Sequence, residues 1–325
     1  MLKLKYLFDN SELALMLLKN WNYDDESLGL FKNYRISSNA IYPFKNNGRL
    51  YFLRFVPESE KDYVNIYQEL NFITILSSNG FNVPKIIDSK FGNIIETKQT
   101  PWGIFHAVVF ESVGNETLES IKITDEIAYK YGESLAKLHQ IAKEKVQSNL
   151  KRKSVYDILN LIEEKLRKDI SKNNKLLDHI NLLRIEFDKI DKTDLTYGLI
   201  HYDYELDNII YDVETQKLSA IDFDDCMYGF YGQDVERAIN SIESEVEQFQ
   251  DDIKTNFIGG YLDAGGNLDI YYKYTDLFEK FANLYTYYRI SYSVKEKWDN
   301  EPIWMENLRY RLGERMTTYL ENIES

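Results

Sequence analysis

The sequence predicts an α+β protein of two lobes, a small β-rich lobe followed by a larger helical one. Three observations predict it. The first third carries strand-like runs around a single helix-period segment. From Gly114 onward, apolar residues recur mostly at helical spacing. One interruption, across residues 199–229, places short strand-like runs among those helices. The lobes are expected over residues 1–109 and 115–325, with 110–114 as the connector.

The opening segment, MLKLKYLFDNSELALMLLKNW, reads as an amphipathic helix. Asp9 and Glu12 interrupt its apolar run, which separates it from a secretion signal. Strands are expected over Ser38–Phe44 and Arg49–Phe55, joined by the turn Asn46-Asn47-Gly48. A helix follows over Asp62–Ser77, because Ile66, Leu70, Ile73 and Leu76 share one face, and Asn79-Gly80 supplies its stop. Strands over Lys85–Asp88, Asn93–Thr97 and Gly103–Glu111 complete the small sheet. Thr124 is positioned as an N-cap, with Asp125 and Glu126 favourable in the first turn and Ile127, Tyr131, Leu135 and Leu138 as the apolar face. His139 is expected to end that helix as a hydrogen-bonded structural histidine. Further helices are expected over Val155–Lys168, Lys175–Asp191, Gln233–Gln248, Asp251–Leu262, Asp269–Val294 and Ile303–Ile323.

Composition narrows the function. The 325 residues are 44% hydrophobic, enough for a sizeable core. A formal net charge of −14 speaks against nucleic acid, whose binding needs clustered Lys and Arg. It is compatible with a cationic ligand, although net charge mainly reports solubility. The one cysteine, Cys226, forms no intrachain disulfide framework, and the four histidines show no HExxH spacing. No stretch is long and apolar enough for a membrane span, so a cytoplasmic chain is expected. GxxxxGK[ST] and GxGxxG are both absent, which removes the P-loop and dinucleotide-binding readings. Among the 26 tyrosines, Tyr271, Tyr272, Tyr285, Tyr287, Tyr288 and Tyr292 fall on predicted helices, where core packing explains them. The acidic run Glu243, Glu245, Glu247, Asp251 and Asp252 reads as a solvated face. Trp298 and Trp304 flank the break before the last helix.

The chemistry concentrates in LIHYDYELDNIIYDVETQKLSAIDFDDCMYG, residues 199–229. His201, Asp203 and Asn208 stand in the pattern H-x-D-x-x-x-x-N on a loop between two apolar runs. Asp222 ends the strand-like Leu218–Ile221, fourteen residues past Asn208. Magnesium takes oxygen ligands, usually one or two side chains plus substrate phosphates. Asn208 and Asp222 would supply such ligands, leaving Asp203 to orient a hydroxyl and accept its proton. Phosphoryl transfer needs positioning and charge neutralisation more than covalent chemistry, and this set is sufficient for it. The plainer explanation, two Asx-rich hairpin turns, does not account for the whole pattern following a β-rich lobe.

The segment resembles the aminoglycoside phosphotransferase and choline kinase-like family, which has a protein-kinase-like fold with a small N-lobe and a helical C-lobe. The likeness extends to "GRLYFLRFVPESEKDYVNIYQELNFITILSSNGFNVPKII", to "ITDEIAYKYGESLAKLHQ" and to "IDFDDCMYGFYGQDVERAI", covering roughly residues 30–245. It implies Asp203 as catalytic base and Asn208 and Asp222 as magnesium ligands. Arg54 would stand where a phosphate-contacting Lys or Arg is found, paired with Glu69. Ser38 and Asn39 would lie in the turn over the nucleotide phosphates. The backbone of Phe110, Glu111, Ser112 and Val113 would meet the base as the hinge. His201 would brace the loop, and Asp234 would be structural.

The departures bear on substrate. Tyr202 replaces the usual glycine before the base and would set a bulky ring beside it. Arg54 replaces the lysine of protein kinases, a planar fork in place of a point charge. Asp224 stands where many kinases have glycine, either as an added metal ligand or as a hydrogen-bonding group of the loop. Cys226 reads as a small packed residue. The expected activity is magnesium-dependent transfer of the γ-phosphoryl of ATP or GTP to a hydroxyl of a small molecule, such as an aminoglycoside, a choline- or homoserine-like amino alcohol or a sugar. A protein serine/threonine kinase of the same fold and a nucleotide-binding regulatory protein with little turnover are the rivals. Nothing in the sequence sets an oligomeric state.

Overall fold

The computed structural model describes every residue except 147–149, 169–173, 247–249, 298 and 325. Glu247, Gln248 and Trp298 lie outside the described residues. The chain forms two compact units. Met1–Glu116 and Ile210–Asp224 make the first; Thr117–Ile209 and Asp225–Ser325 make the second. Among the described residues, no helix is long and apolar enough to cross a membrane.

In chain order, residues 1–117 hold α1 (Ser11–Leu18), β1 (Arg35–Ile36), β2 (Ala40–Asn46), β3 (Arg49–Pro57), α2 (Tyr63–Ser78), β4 (Ile86–Ile87), β5 (Glu96–Thr100), β6 (Gly103–Glu111) and β7 (Glu116–Thr117). There follow α3 (Asp125–Lys145), α4 (Val155–Lys168), α5 (Asn174–Phe187), β8 (Tyr197–Ile200), β9 (Ile209–Asp212), β10 (Lys217–Ala220) and β11 (Met227–Phe230). The chain then runs through α6 (Tyr231–Glu245), α7 (Gln250–Asp263), α8 (Asp269–Val294) and α9 (Ile303–Glu324).

The main sheet of the first unit runs β1-β2-β3-β6-β4, with β5 also on β6. Asn46 pairs with Arg49, so Asn47 and Gly48 alone make the β2–β3 turn. Both have positive φ, 52° and 75°, as a type I′ turn requires. Helix α2 starts on Asp62, whose side chain accepts from Asn65 N. It stops at Gly80 with φ 74°, where Phe81 N bonds Leu76 O and Gly80 N bonds Ser77 O. This paired closure is the Schellman geometry that the Asn79-Gly80 signal anticipates.

The opening segment corrects the expectation of one amphipathic helix. A 3-10 turn at Leu4–Tyr6 precedes α1, which starts only at Ser11. Asp9 Oδ1 accepts from both Ser11 N and Ser11 Oγ, and Asn10 N donates to Tyr42 OH. Those side-chain bonds replace the helical ones and break the run. Past the break, Leu13, Ala14, Leu17 and Leu18 bury into a core with Trp21, Tyr42, Phe44 and Phe55.

In the second unit Thr124 caps α3, accepting from Ile127 N at 3.3 Å. The helix does not end at His139; it continues to Lys145, because Ile141 and Ala142 extend its buried face. Helices α3 and α7 meet at two glycines. A Cβ on Gly132 would fall 1.9 Å from Phe257 O, and one on Gly260 would fall 1.9 Å from Tyr129 O. An aromatic core of Phe187, Phe230, Phe278 and Phe281 lies among α5, β11 and α8. Strand β11, which the sequence pattern did not reveal, pairs antiparallel with β8 and sets Gly229 opposite Gly198. Helix α8 is kinked at Tyr274.

Candidate active site

The loop that follows β8 carries His201, Tyr202 and Asp203, and a 3-10 turn over Leu206–Asn208 carries it into β9. Its anchor is Asp234, in the first turn of α6 and 0% exposed. Asp234 Oδ2 accepts from His201 N at 2.9 Å, and Oδ1 accepts from Tyr202 N at 2.6 Å. His139 Nε2 reaches the same Oδ2 at 3.0 Å, while its Nδ1 bonds Tyr261 OH at 3.0 Å. A buried carboxylate thus satisfies two consecutive backbone N–H groups of the loop. Tyr131 OH donates to Tyr204 O, and Leu206 N donates to Ser241 Oγ.

Asp203 is held from both sides. Its backbone N donates to His201 Nδ1 at 3.3 Å, so that nitrogen carries no proton. Asn208 Nδ2 donates to both Asp203 O and Asp203 Oδ2, at 3.0 Å each. Both amide protons of Asn208 are engaged, which orients its Oδ1 as an acceptor. Arg237, one helical turn past Asp234, forms an ion pair with Glu205 and stands 4.0 Å from Asp203 Oδ1.

Tyr202 does not protrude as a ring beside Asp203. It is 4% exposed, with its ring edge-on to Phe281 at 5.8 Å and Tyr285 at 5.5 Å. Burial pushes its hydroxyl well above the ordinary phenol range. Its φ is 68°, the conformation in which a glycine is at ease and a tyrosine is strained. Next along the second unit, Asp225 accepts from Arg289 Nη1 at 2.7 Å and from Tyr285 OH at 3.3 Å.

The first unit holds the remaining candidates. Asp222 follows β10 with φ 58°, also left-handed. Phe223 packs edge-on to Phe72 of α2 at 5.6 Å. Arg54 of β3 and Glu69 of α2 form a buried bidentate pair, Nη1–Oε1 2.6 Å and Nη2–Oε2 3.1 Å. Burial works against the guanidinium charge, but Glu69, with Asp224 and Asp222, more than restores it and raises the Arg54 pKa. Its guanidinium also lies 5.0 Å from the Phe110 ring centre. Asp224 accepts from Lys61 and, at 3.5 Å, from Asn39 Nδ2. Ser38 and Asn39 lie between β1 and β2; Asn39 is buried and Ser38 half-buried. Phe110 and Glu111 end β6, and Ser112 N donates to Leu50 O. Glu111, Ser112 and Val113 also line a cleft of about 660 Å³ with Arg49, Asn82 and Lys217.

Sequence reasoning missed Lys61, Glu205 and Arg237. Arg237 had a signal, since i and i+3 on a helix share a face and Asp234 already marked the face that meets the loop. Lys61 had none, because its partners lie 22 and 163 residues away.

The donor chemistry fits magnesium. Asn208 offers an amide oxygen and Asp222 a carboxylate, both hard oxygen ligands. Among the described residues no cluster of three or more His, Cys, Asp or Glu could enclose an ion.

Comparisons with known proteins bear on the fold and the family. No curated protein matches the chain. Solved structures do. An amicoumacin kinase in complex with AMP-PNP, Ca2+ and amicoumacin superposes with a TM-score of 0.75 at 18% identity, covering 96% of this chain and 94% of that one. A microcompartment-associated aminopropanol kinase gives 0.71 at 19%, covering 97% and 98%. The Plasmodium vivax ethanolamine kinase gives 0.60 at 16%, covering 96% and 94%. At those identities the likeness establishes the fold. The profile of the phosphotransferase enzyme family matches residues 36–274, and the chain belongs to that family.

Proposed function

We propose that the protein transfers the γ-phosphoryl group of ATP to a hydroxyl of a small, amine-bearing molecule, with magnesium as the cofactor. The observation that carries the reading is the Asp203–Asn208 arrangement on a loop anchored by Asp234, in a chain of this family. Asp203 accepts the acceptor's hydroxyl proton as its oxygen bonds the γ-phosphorus and the bond from that phosphorus to the β–γ bridging oxygen breaks, releasing ADP. Asn208 and Asp222 would hold a magnesium ion, which would supply charge neutralisation to the nucleotide phosphates. Arg54 is kept charged by Glu69 and contributes positive potential. Ser38 and Asn39 cover the phosphates, and the backbone of Phe110, Glu111, Ser112 and Val113 meets the nucleotide base.

An amine-bearing acceptor is favoured by two structural neighbours, an aminopropanol kinase and an ethanolamine kinase. The net charge of −14 is compatible with it. The test is magnesium-dependent turnover of ATP, with GTP in parallel, against amino alcohols, aminoglycosides, sugars and a generic protein. Asp203→Asn should lower transfer by about 10³-fold, within the usual range for a general base, while Mg–ATP still binds. Asp222→Asn should weaken Mg–ATP binding as well. Full activity in Asp203→Asn would remove the base. Transfer to the protein substrate alone would replace the small-molecule reading.

A further inference from the structure

Arg54 has little freedom to follow a nucleotide. Two of its N–H groups already meet both oxygens of Glu69, and the pair is buried. Swinging the guanidinium away would leave the Glu69 carboxylate buried and unpaired, which is costly. A second cation in the same unit is differently built. Lys61 lies in the connection between β3 and α2, directly before the N-cap Asp62. Its ammonium donates to Asp224 Oδ1 and, at 3.3 Å, to Asn39 Oδ1. Asn39 in turn donates to Asp224 Oδ2, so the three side chains close a ring. An ammonium has three N–H groups, and this ring uses two. Lys61 is also a point charge on a four-carbon stem, which can shift toward a ligand without breaking a planar fork.

The ring joins two segments already implicated in nucleotide binding. Asn39 stands directly before β2, in the turn proposed to cover the phosphates. Asp224 stands two residues after Asp222, the proposed metal ligand. We propose that Lys61 contacts the phosphate chain of the nucleotide through its third N–H, and that Asp224 is its anchor rather than a further metal ligand. This rests on the phosphotransferase reading. A carboxylate already paired with an ammonium is a poorer ligand for a dication, because binding the metal would first have to displace the ammonium. The division of labour also explains the second aspartate of I-D-F-D. Asp222 serves the metal, and Asp224 fixes a cation on the loop that leads into α2.

The test is isothermal titration calorimetry of the full chain with ATP and with adenosine, at several magnesium concentrations. Lys61→Met should weaken Mg–ATP about tenfold, the size of one charge-assisted hydrogen bond to phosphate. Adenosine affinity should stay within about twofold, reporting an intact fold. Lys61→Gln supplies the same contrast if the methionine variant is lost in expression. Asp224→Asn should keep the magnesium dependence of ATP binding, which Asp222→Asn should lose. The Lys61→Met/Asp224→Asn double variant should be no weaker than Lys61→Met alone. Parent-like ATP affinity in Lys61→Met would overturn the inference, as would equal loss of ATP and adenosine, or loss of magnesium dependence in Asp224→Asn. A parent protein that binds no Mg–ATP would overturn the phosphotransferase reading itself.

Discussion

Asp234 shows how a residue that touches no substrate can decide whether the site exists. It accepts from His201 N, Tyr202 N and His139 Nε2 with no exposure to water. Asp234→Asn would turn an amide N–H toward at least one of those donors. We expect a loss of about 3 kcal/mol in urea unfolding, together with activity, because buried charge-assisted bonds are lost at once. Tyr202→Gly sets two terms against each other. It relieves a left-handed φ worth about 1 kcal/mol, but it empties a buried aromatic site worth about 3 kcal/mol or more. The ring should win, so the family's glycine should lower the melting temperature here. Glu236 gives a pH signature. Burial, reinforced by Glu279 and Glu243 and opposed by a bond from Asn240, raises its pKa from 4.5 to about 7. The folded protein therefore holds a proton that the unfolded chain releases. Its contribution is complete below pH 4.5 and is lost as pH rises toward about 7. Glu236→Gln should flatten that decline, worth roughly 3 kcal/mol, in unfolding measured across the interval.

At the scale of elements, the α3–α7 crossing is set by what its glycines lack. Either Gly132→Ala or Gly260→Ala would drive a methyl group into a backbone carbonyl at 1.9 Å, and neither helix can yield without separating along its length. Each should cost about 3 kcal/mol in chemical unfolding. Gly259→Ala is the control, because its Cβ would meet only Tyr129 Cδ2, at 4.0 Å. That change should stabilise by up to about 1 kcal/mol through helix propensity. Parity between Gly259→Ala and Gly260→Ala would show that the close approach does not matter. The crossing also bears on the loop, since α7 carries Tyr261 and α3 carries His139, through which a chain of bonds leads from Tyr261 to Asp234.

At the scale of the whole molecule, the first unit is discontinuous. Residues 210–224 belong to it although almost a hundred residues of the second unit intervene. Phe223, fully buried, meets Phe72, and Ala220 N bonds Asn82 O within that unit. A fragment ending at Glu116 lacks those contacts and should fail to give a fixed near-ultraviolet circular dichroism spectrum. A folded, cooperative fragment would show that the inserted segment is dispensable. In the full chain, Phe223→Ala should cost about 3–5 kcal/mol.

Fold class, the β2–β3 turn, the α2 stop and the Thr124 cap were legible in the sequence. Each depends on residues close together in the chain, where turn chemistry and periodicity act directly. The family assignment followed from the same stretch and its surroundings. What the sequence concealed depends on long separations. The break before α1 needs Tyr42 to receive Asn10, β11 needs β8 as its partner, and the direction of the Tyr202 ring is set by Phe281 and Tyr285. The Lys61–Asn39–Asp224 ring and the hold of Asp234 on the loop are of the same kind. Local sequence determined which groups are present and in what order they come. Tertiary packing decided which carboxylate is buried as an anchor and which groups it holds, because burial and partner choice are set by neighbours that the chain brings together only on folding.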